Sequence, residues 1–505
     1  MTDLAKGVRQ LSSGVVLGVD SSTQSVKVEA RDLVTGAVVA TAMAKHPPTR
    51  PPVSEQDPRA WWAALAEACA ALPGDVRAAA VALSVAGQQH GLVLVDEDGL
   101  PVRPAKLWND TTSASQAASM VASLGADGWA QLVGTSPVAA ITITKLAWVA
   151  EHEPDVLIRV SKVMLPHDYL TWKLTGQHVT DRGDASGTGW FDAEAGVYVS
   201  EAFEAAGLDG SVWLSKLARV LGATEAAGLL TDEASATLGL PPGVVVGPGS
   251  GDNMGAALGL GLVAGDIAVS LGTSGTVFAV SATPTRDPSG AVAGFASATG
   301  DFLPLVCTLN AAKVTDTVAR WLGTDAAGLG RMAMAAAGDP GDVMLVPYFD
   351  GERTPNLPDA TGTWVGLTNS TTREQLALAA HDGVLCGLLD GLDALRSQGA
   401  ACDGRLFLVG GGSRSTAYRQ RLADLSGLPV VVPHSDETVA TGAAVQAAVV
   451  ARGDTFADVI ARWHLGSGDV IQPMVESQYR RTIYAAATNP PTPQPLASRF
   501  VVNGA

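Results

Sequence analysis

The chain alternates between short apolar runs and turns of small polar residues. The apolar run VVLGV (15–19) ends at DSST (20–23), and an alternating apolar pattern resumes over residues 26–30. This pattern predicts a strand, a polar turn and a second strand. Near the midpoint of the chain, IAVSL (267–271) ends at GTSG (272–275), and another apolar run follows. The repeated pattern suggests an internal duplication, although residue identity between the two hairpins is low.

Helical and strand signals alternate around these hairpins. Asp57-Pro58 precedes a mainly apolar segment, residues 61–72, which predicts a capped helix with proline in its first turn. Residues 406–409 predict a strand that runs through the glycines of GGGS (410–413) into a helix beginning at Thr416. Such alternation is typical of an α/β protein.

The breaker-rich stretch after Val246 suggests where the chain divides. We expect an N-terminal domain over 1–247 and a C-terminal domain over 248–488. The proline-rich segment 489–505 is expected to be extended or disordered.

Composition excludes several classes of protein. Lys and Arg number 33 against 50 Asp and Glu, a net charge of -17, so a nucleic acid is not expected as a partner. The four cysteines are widely spaced and form no metal-binding motif. The sequence has no run of 18 apolar residues, so no membrane span is predicted. Residues 1–13 lack the pattern of a secretion signal. A cytoplasmic location is therefore expected.

The two polar turns are candidates for binding phosphate. The first offers Asp20, Ser22, Thr23 and Gln24, and the second offers the segment Gly272-Thr273-Ser274-Gly275. Small residues let backbone N–H groups approach phosphate oxygens, and hydroxyl groups add donors. Asp20 could bind Mg²⁺ directly or through water. Either turn by itself could equally be an ordinary hairpin turn.

Asp252 and Asn253 lie where GPGSG (247–251) gives way to an apolar helical segment. An Asp in this place could simply cap the helix. It could also take the proton from an attacking hydroxyl group, since a helix N-terminus favours its ionised form.

Hydroxyl-binding side chains follow a predicted buried strand. Gln89 and His90 come directly after residues 80–85, and Trp108 and Asp110 follow soon after. Amide, imidazole and carboxylate groups beside an aromatic face suit a polyol or sugar, although a structural loop would have the same composition.

The GGGS turn is a candidate for binding a flat base or a ribose. Gly411, Gly412 and Ser413 would allow close approach of the backbone. The sequence contains neither GxGxxG nor GxxxxGK[ST] at this place, which gives no support to a dinucleotide-binding or P-loop site. A tight strand-to-helix connection is the alternative.

In this order, these segments resemble the FGGY family of carbohydrate kinases. The resemblance runs from about residue 15 to about 450. The segments that carry it are GVDSSTQSVK (18–27), SVAGQQHGLVLVD (84–96), LWND (107–110), LPHDYLTWKLTG (165–176), TDRGDASGTGWFD (180–192), GSGDNMGAALG (249–259), SLGTSG (270–275) and FLVGGGSRS (407–415).

The resemblance implies an α/β fold of two actin-like ATPase (RNase H-like) domains with a catalytic cleft between them. It implies ATP and Mg²⁺ as cofactors and a small sugar as acceptor, with D-xylulose favoured over xylitol, ribulose, gluconate and glycerol. A non-kinase ATPase of the same fold is the alternative of another class, and a homodimer is expected from base rates.

Site residues carried over from the family are grouped by role. Asp252 matches the general base and Asp20 the acidic residue near the metal. Gln89, His90, Trp108, Asp110 and Asn253 are assigned to the sugar. Those assigned to ATP are Ser22, Thr23, Gln24, Gly272, Thr273, Ser274, Gly275, Gly411, Gly412 and Ser413. Ser22 stands where the family usually has glycine, and Gln89 stands where methionine is frequent.

Overall fold

The computed structural model describes residues 14–435 and 437–489. Apart from Asn489, the expected tail 489–505 lies outside the described residues, as do residues 1–13. Among the described helices, none has the length and hydropathy needed to cross a membrane.

Strands and helices alternate through the first half of the chain. Its strands are β1 (Val15–Ser21), β2 (Ser25–Asp32), β3 (Val38–Lys45), β4 (Glu55–Gln56), β5 (Ala80–Gly87), β6 (Val93–Val95), β7 (Ala105–Lys106), β8 (Lys162–Met164), β9 (Val179–Asp181), β10 (Phe191–Asp192), β11 (Val197–Tyr198), β12 (Arg219–Leu221), β13 (Gly228–Leu229), β14 (Val245–Val246) and β15 (Ser250–Gly251). Its helices are α1 (Pro58–Ala71), α2 (Gly74–Ala78), α3 (Ala114–Val133), α4 (Thr142–His152), α5 (Pro154–Ile158), α6 (Pro166–Thr175), α7 (Arg182–Ala185), α8 (Ser200–Ala205), α9 (Gly210–Leu214), α10 (Asp232–Leu238) and α11 (Asp252–Gly259).

The second half follows the same alternation. Its strands are β16 (Ile267–Leu271), β17 (Gly275–Ala279), β18 (Ala293–Ala296), β19 (Phe302–Thr308), β20 (Met344–Val346), β21 (Thr363–Val365), β22 (Leu406–Val409), β23 (Val430–Pro433) and β24 (Gly468–Ile471). Its helices are α12 (Ala312–Trp321), α13 (Ala326–Ala335), α14 (Arg373–Ser397), α15 (Thr416–Ser426), α16 (Thr438–Arg452), α17 (Phe456–Arg462) and α18 (Gln478–Thr488), with a 3₁₀ turn over Gly411–Arg414.

Two seven-stranded sheets repeat one topology. The first has the order β13-β14-β5-β1-β2-β3 with β15 as a seventh strand that also pairs with β5, and the second has the order β18-β19-β17-β16-β22-β23-β24. In each, the opening strand pairs antiparallel with the next strand and parallel with a strand from much later in the sequence. The order β3-β2-β1-β5-β14 therefore matches β19-β17-β16-β22-β23. This shared order confirms the α/β fold with two actin-like halves.

Several predicted elements form with small shifts at their ends. Helix α1 begins at Pro58 with the Asp57 side chain as its cap, as predicted. Strand β1 continues through Ser21, so Asp20 lies in the strand rather than in the turn. Helix α11 begins at Asp252 and its N-cap is Gly251, which corrects the interpretation of Asp252 as the cap.

Helix α16, from the second half, packs on the sheet of the first half. A Cβ atom on Gly18 of β1 would lie 1.8 Å from the Ala440 carbonyl oxygen, and one on Gly442 would lie 1.9 Å from the Gly255 carbonyl oxygen. Only hydrogen at these positions allows such close contact. The Gln446 side chain adds a hydrogen bond to the Gly249 carbonyl at 2.8 Å. The two halves thus share a core behind the segment that leads to Asp252.

Candidate active site

Three cavities contain the candidate site residues, and two of them share lining residues. Cavity A, about 230 Å³, is lined by residues that include Gln89, His90, Trp108, Ser274 and Gly275. Cavity B, also about 230 Å³, is lined by residues that include Ser270, Gly410 and Ser413. Cavity C, about 530 Å³, is lined by residues that include Gly411, Gly412 and Tyr418. Asp252 and Asn253 line both A and B, so this carboxylate lies between a cavity rich in hydroxyl-binding groups and one lined by Gly410 and Ser413 of the glycine turn.

Sheet pairing explains why Asp20 and Asp252 come close together. Strands β1 and β15 both pair in parallel with β5, on opposite sides of it. Asp20 and Ser250 each pair with Ala86 of β5. Ser250 lies two residues before Asp252 in the chain. Adjacent strands lie about 4.8 Å apart, which places Asp20 and Ser250 about 10 Å apart at the Cα atoms. The carboxyl ends of parallel strands thus bring the two carboxylates to one edge of the sheet.

Asp252 is held in a defined position at the start of α11. Its Oδ1 accepts hydrogen bonds from the Asn253 backbone N–H at 2.9 Å and from Asn253 Nδ2 at 3.2 Å. Burial raises the pKa of Asp252 to about 7, and the negative charges of Asp20 and Asp184 add to this effect. A carboxyl group with this pKa can take up a proton near neutral pH.

The hydroxyl-binding side of cavity A is organised around Gln89 and His90. Gln89 Oε1 accepts a hydrogen bond from Asn253 Nδ2 at 2.7 Å. His90 Nδ1 lies 2.8 Å from the Gly187 carbonyl oxygen, and burial lowers the pKa of His90 to about 3. Because a carbonyl only accepts, the neutral ring carries its proton on Nδ1. Nε2 is left as an acceptor for a hydroxyl group in cavity A.

Trp108 connects cavity A to the first turn. Its side chain is 46% exposed and lines the cavity. Its Nε1–H donates to Thr23 Oγ1 at 3.0 Å, and the Thr23 hydroxyl donates to Gln88 Oε1 at 2.9 Å. This fits the amphipathic character of tryptophan, with an apolar face and one polar atom that needs a partner.

Asp110 occupies a different environment from the other sugar-site candidates. It is fully buried and accepts hydrogen bonds from the backbone N–H groups of Ser54 and Thr112 at 2.9 and 3.0 Å. Lys106 Nζ lies 3.4 Å from both of its oxygens. Burial opposes ionisation, but these donors outweigh it and the pKa of Asp110 is lowered. The residue fixes the loop that carries Trp108, and it is not among the residues lining cavity A.

The first hairpin presents a buried carboxylate rather than a ring of amides. Ser22 uses both its N–H and its hydroxyl to bond the Ser25 carbonyl, each at 3.0 Å, which closes the turn. Asp20 is buried, and its Oδ1 has no hydrogen-bond partner among the described residues. Burial raises the pKa of Asp20 to about 6, although the nearby charge of Lys27 opposes the rise. Gln24, at the tip, is exposed.

This orphan oxygen fits a cation. A hard divalent ion prefers carboxylate oxygen, and Mg²⁺ is usually held by one or two carboxylates with phosphates and water completing the shell. Within residues 14–435 and 437–489, no cluster of three or more His, Cys, Asp or Glu side chains is arranged to hold a metal by itself. Asp20 would therefore share the ion with a phosphate ligand.

The second hairpin presents small, exposed groups. Thr273 and Ser274 are exposed at its tip, and the Gly272 N–H bonds the Ser274 carbonyl at 3.0 Å. Gly272 also accepts a hydrogen bond from the Ala312 N–H at 2.9 Å, which fixes the hairpin against the start of α12. A Cβ on Gly275 would lie 2.8 Å from Thr308 Oγ1. Hydroxyl groups and a closely packed glycine backbone suit an anion.

The glycine turn after β22 lies against the base of the second hairpin. Gly410 has φ +83°, and a Cβ on Gly412 would lie 2.1 Å from Leu271 Cδ2, the side chain of the last residue of β16. Gly411 faces open space. In cavity C, the rings of His381 and Tyr418 lie 4.7 Å apart and provide an aromatic wall beside this turn. The arrangement fits a flat heterocycle next to a phosphate-binding hairpin.

The sequence analysis assigned no role to two pairs of residues near the site. Lys27, the pairing partner of Asp20, forms a 2.8 Å ion pair with Glu437, 410 residues away. Behind Asp252, the buried His167 Nδ1 lies 2.8 Å from Asp184 Oδ2. Burial opposes the charge on this ring, but Asp168 and Asp184 outweigh it and raise the pKa of His167 to about 9. Long sequence separation hides such pairs, because no local pattern connects their members.

Family models match both halves of the chain. The FGGY family of carbohydrate kinases, N-terminal domain, matches residues 15–259, and its C-terminal domain matches residues 267–451. The N-terminal match and the pairing of β15 with β5 both extend past residue 247, so Asp252 lies with the N-terminal half.

Curated and solved relatives agree with these matches. The chain is 47% identical over 461 residues to a protein named xylulose kinase from Streptomyces coelicolor, covering 90% of this chain and 92% of that one. A xylulose kinase structure from Bifidobacterium adolescentis is 39% identical, covers 94% of this chain and 99% of its own, and has a TM-score of 0.83. A gluconate kinase structure from Lactobacillus acidophilus, 21% identical over 94% of this chain and 97% of its own, has a TM-score of 0.85. The fold alone therefore does not select the sugar.

Proposed function

The chain belongs to the FGGY family of carbohydrate kinases, and we propose that it transfers the γ-phosphoryl group of ATP to the 5-hydroxyl group of D-xylulose. The observation that carries this proposal is the position of Asp252, which lines both the hydroxyl-binding cavity A and the glycine-bounded cavity B. The names of the relatives support xylulose as the acceptor.

In the proposed reaction, Asp252 is the general base. The sugar oxygen forms a bond to the γ-phosphorus while the bond from this phosphorus to the β,γ-bridging oxygen breaks. That electron pair leaves with ADP, and the hydroxyl proton passes to the Asp252 carboxylate. Phosphoryl transfer needs little covalent chemistry from the protein, so the main tasks are positioning and neutralisation of charge.

Cavity A is proposed to bind the sugar. His90 Nε2 accepts a hydrogen bond from one hydroxyl group, while the Gln89 and Asn253 amides bind others and Trp108 covers an apolar face of the carbon chain. Asp110 contributes indirectly in this proposal, by fixing the loop of Trp108.

Cavities B and C are proposed to bind ATP. The second hairpin, Gly272 to Gly275, whose Ser274 and Gly275 line cavity A, contacts the terminal phosphates where cavities A and B meet at Asp252. Ser413 in cavity B and Gly411 and Gly412 in cavity C approach the adenosine. The first turn, with Ser22, Thr23 and Gln24, completes the phosphate site. Mg²⁺ would be held by Asp20 together with the phosphates, and when bound it supplies positive charge that offsets the charge of the triphosphate.

A panel of acceptors tests the proposal. D-xylulose, D-ribulose, xylitol, D-gluconate and glycerol are each assayed by coupled detection of ADP, with and without Mg²⁺. We expect kcat/KM for D-xylulose to exceed that for the others by about tenfold or more, since buried hydrogen-bonding groups reject acceptors that leave them unpaired. A higher value for another acceptor would contradict the assignment. Sugar-independent ATP hydrolysis with nucleotide-dependent assembly would instead favour the filament or chaperone class of this fold.

We also propose a cellular location and an oligomeric state for the enzyme. The four cysteines are free thiols, which together with ATP as substrate supports a cytoplasmic location. A homodimer is proposed from the prevalence of symmetric dimers, and light scattering coupled to size-exclusion chromatography would test it.

A further inference from the structure

Arg353 brings an uncompensated positive charge to the wall of cavity A. Arg353 lies in the loop between β20 and β21. It lines cavity A together with Asp252, Ser274 and Gly275. In this lining, which lies within the described residues, the acidic and basic side chains are Asp252, whose pKa is raised to about 7, and Arg353. His90 contributes a neutral ring, as shown above. The cavity that would hold a neutral sugar thus contains a cation that a neutral sugar does not require.

The loop around Arg353 is built by the preceding residue. Glu352 is buried, and its carboxylate accepts hydrogen bonds from the Arg353 N–H at 2.8 Å and from Asn310 Nδ2 at 2.9 Å. The same carboxylate accepts from the Leu309 N–H. Gly351 has φ +77°, and a Cβ there would lie 2.2 Å from the Pro358 carbonyl oxygen. These contacts fix the backbone from which the arginine side chain projects.

The guanidinium group itself is left without a partner. Arg353 is exposed, and within residues 14–435 and 437–489 its side chain donates no hydrogen bond and joins no ion pair. Guanidinium remains charged at every relevant pH and presents a planar fork of N–H donors. By contrast, the buried guanidinium groups of Arg421 and Arg480 both donate hydrogen bonds to the Asp382 carboxylate. The anchored backbone and the unpaired fork leave the guanidinium group available to bind an anion in cavity A.

We propose that Arg353 binds the phosphoryl group as it passes from ATP to the sugar, and then the phosphate of the product. The inference rests on the proposed function and extends it. During transfer, negative charge lies on the oxygens of the group between the sugar oxygen and the departing ADP, next to the second hairpin. A fork of N–H donors matches these oxygens, whereas the neutral acceptor offers no charge to bind. Arg353 therefore contributes more to turnover and product affinity than to sugar affinity.

Steady-state kinetics of the full-length protein test this role. Arg353→Ala and Arg353→Lys are compared with Arg59→Ala, an exposed arginine of α1 that pairs with Asp57. We expect Arg353→Ala to lower kcat about 100-fold with the KM for D-xylulose changed less than about threefold, and Arg353→Lys to fall between. Arg59→Ala should match the wild type. Added guanidinium chloride should restore part of the activity of Arg353→Ala alone. Unchanged kcat, or loss of sugar affinity with kcat retained, would overturn the proposal.

A binding measurement separates this inference from the choice of sugar. Inorganic phosphate is titrated calorimetrically into the wild type and Arg353→Ala, each saturated with Mg²⁺ and ADP. We expect the phosphate affinity to fall about tenfold in the variant, while the ADP affinity and the melting temperature stay the same. This result would support the role of Arg353 even if D-xylulose proved not to be the acceptor. Equal phosphate affinities, or phosphate binding that is undetectable in the wild type, would overturn it.

Discussion

The two phosphate hairpins occupy equivalent places in a duplicated topology but carry different chemistry. Each begins a seven-stranded sheet and pairs parallel with a later strand. The first contains no glycine in its turn, and the buried carboxylate of Asp20 lies one residue before the end of its strand. The second contains two glycines and exposes the hydroxyl groups of Thr273 and Ser274. One hairpin thus suits a cation, and the other suits an anion.

This difference shows that the topology places the two hairpins, whereas their side chains determine which ligand each can bind. The shared strand order brings both hairpins to the carboxyl edge of their sheets, where a ligand between the halves can reach them. The residues at each bend then select the ligand, because a buried carboxylate attracts a metal and small donors attract phosphate. Asp252, which follows β15 at the edge of the first sheet, lies between these two chemistries.

Replacing the carboxylate between the hairpins should have the largest effect. Asp252→Asn keeps the size of the side chain but removes its ability to accept a proton, so we expect kcat to fall about 10³-fold. The affinity for D-xylulose, measured by calorimetry without nucleotide, should change less than about threefold. Retained turnover would remove the assignment of Asp252 as base, and loss of sugar binding would reassign it to the acceptor site.

Removing the carboxylate of the first hairpin should have the next largest effect. Asp20→Asn should lower kcat about 100-fold and raise the Mg²⁺ concentration needed for half-maximal activity, because the ion loses its charged protein ligand. Titration of Mg²⁺ at fixed ATP measures both. Glu29→Gln, in the neighbouring strand and paired with Arg31, serves as a control for a lost buried charge. An unchanged Mg²⁺ requirement would contradict the cation role of this hairpin.

The pH dependence of kcat should report the ionisation of Asp252. The base must be ionised, and the pKa of Asp252 is raised to about 7 by burial and by the charges of Asp20 and Asp184. In the wild type kcat should therefore fall about tenfold per pH unit below about 7 and level off above it. Ser274→Ala, which removes no charge, should keep the same acidic limb. A profile flat from pH 5 to 8 would show that no group with this pKa limits turnover.

Removing a hydroxyl from the second hairpin should have the smallest effect. Ser274→Ala leaves the backbone N–H groups in place, so we expect the KM for ATP to rise about two- to fivefold, the value of one exchanged hydrogen bond. Ser370→Ala, at an exposed serine outside the hairpin whose hydroxyl lies 3.0 Å from Thr368 Oγ1, provides a matched control. A loss as large as that of Asp20→Asn would mean that this hairpin acts through its side chains.

The local elements of the site could be read from the sequence. The apolar runs at 15–19, 267–271 and 406–409 form β1, β16 and β22, and a helix begins at Thr416 as predicted. These predictions hold because strand and turn preferences depend on neighbouring residues. The extension of β1 through Asp20 was missed, since pairing with β2 and β5 decides where a strand ends.

Contacts between distant residues could not be read in this way. The assignment of Asp110 to the sugar stays a prediction, and its hydrogen bond to the Ser54 N–H, 56 residues away, was not predicted. The pairing of Lys27 with Glu437 joins segments 410 residues apart. Local periodicity does not predict such contacts, because they depend on tertiary packing, in the case of Lys27 and Glu437 on how α16 packs against the first sheet.

The amino-acid sequence by itself determined the α/β alternation, the two hairpins and the types of chemical group at their bends, because these depend on short-range preferences and on residue identity. Only the tertiary structure decided that Asp252 lines two cavities at once, that its pKa is raised to about 7, and that the guanidinium of Arg353 has no partner within the described part of the chain. Burial and through-space charge set those properties, and both arise only when strands far apart in sequence lie side by side.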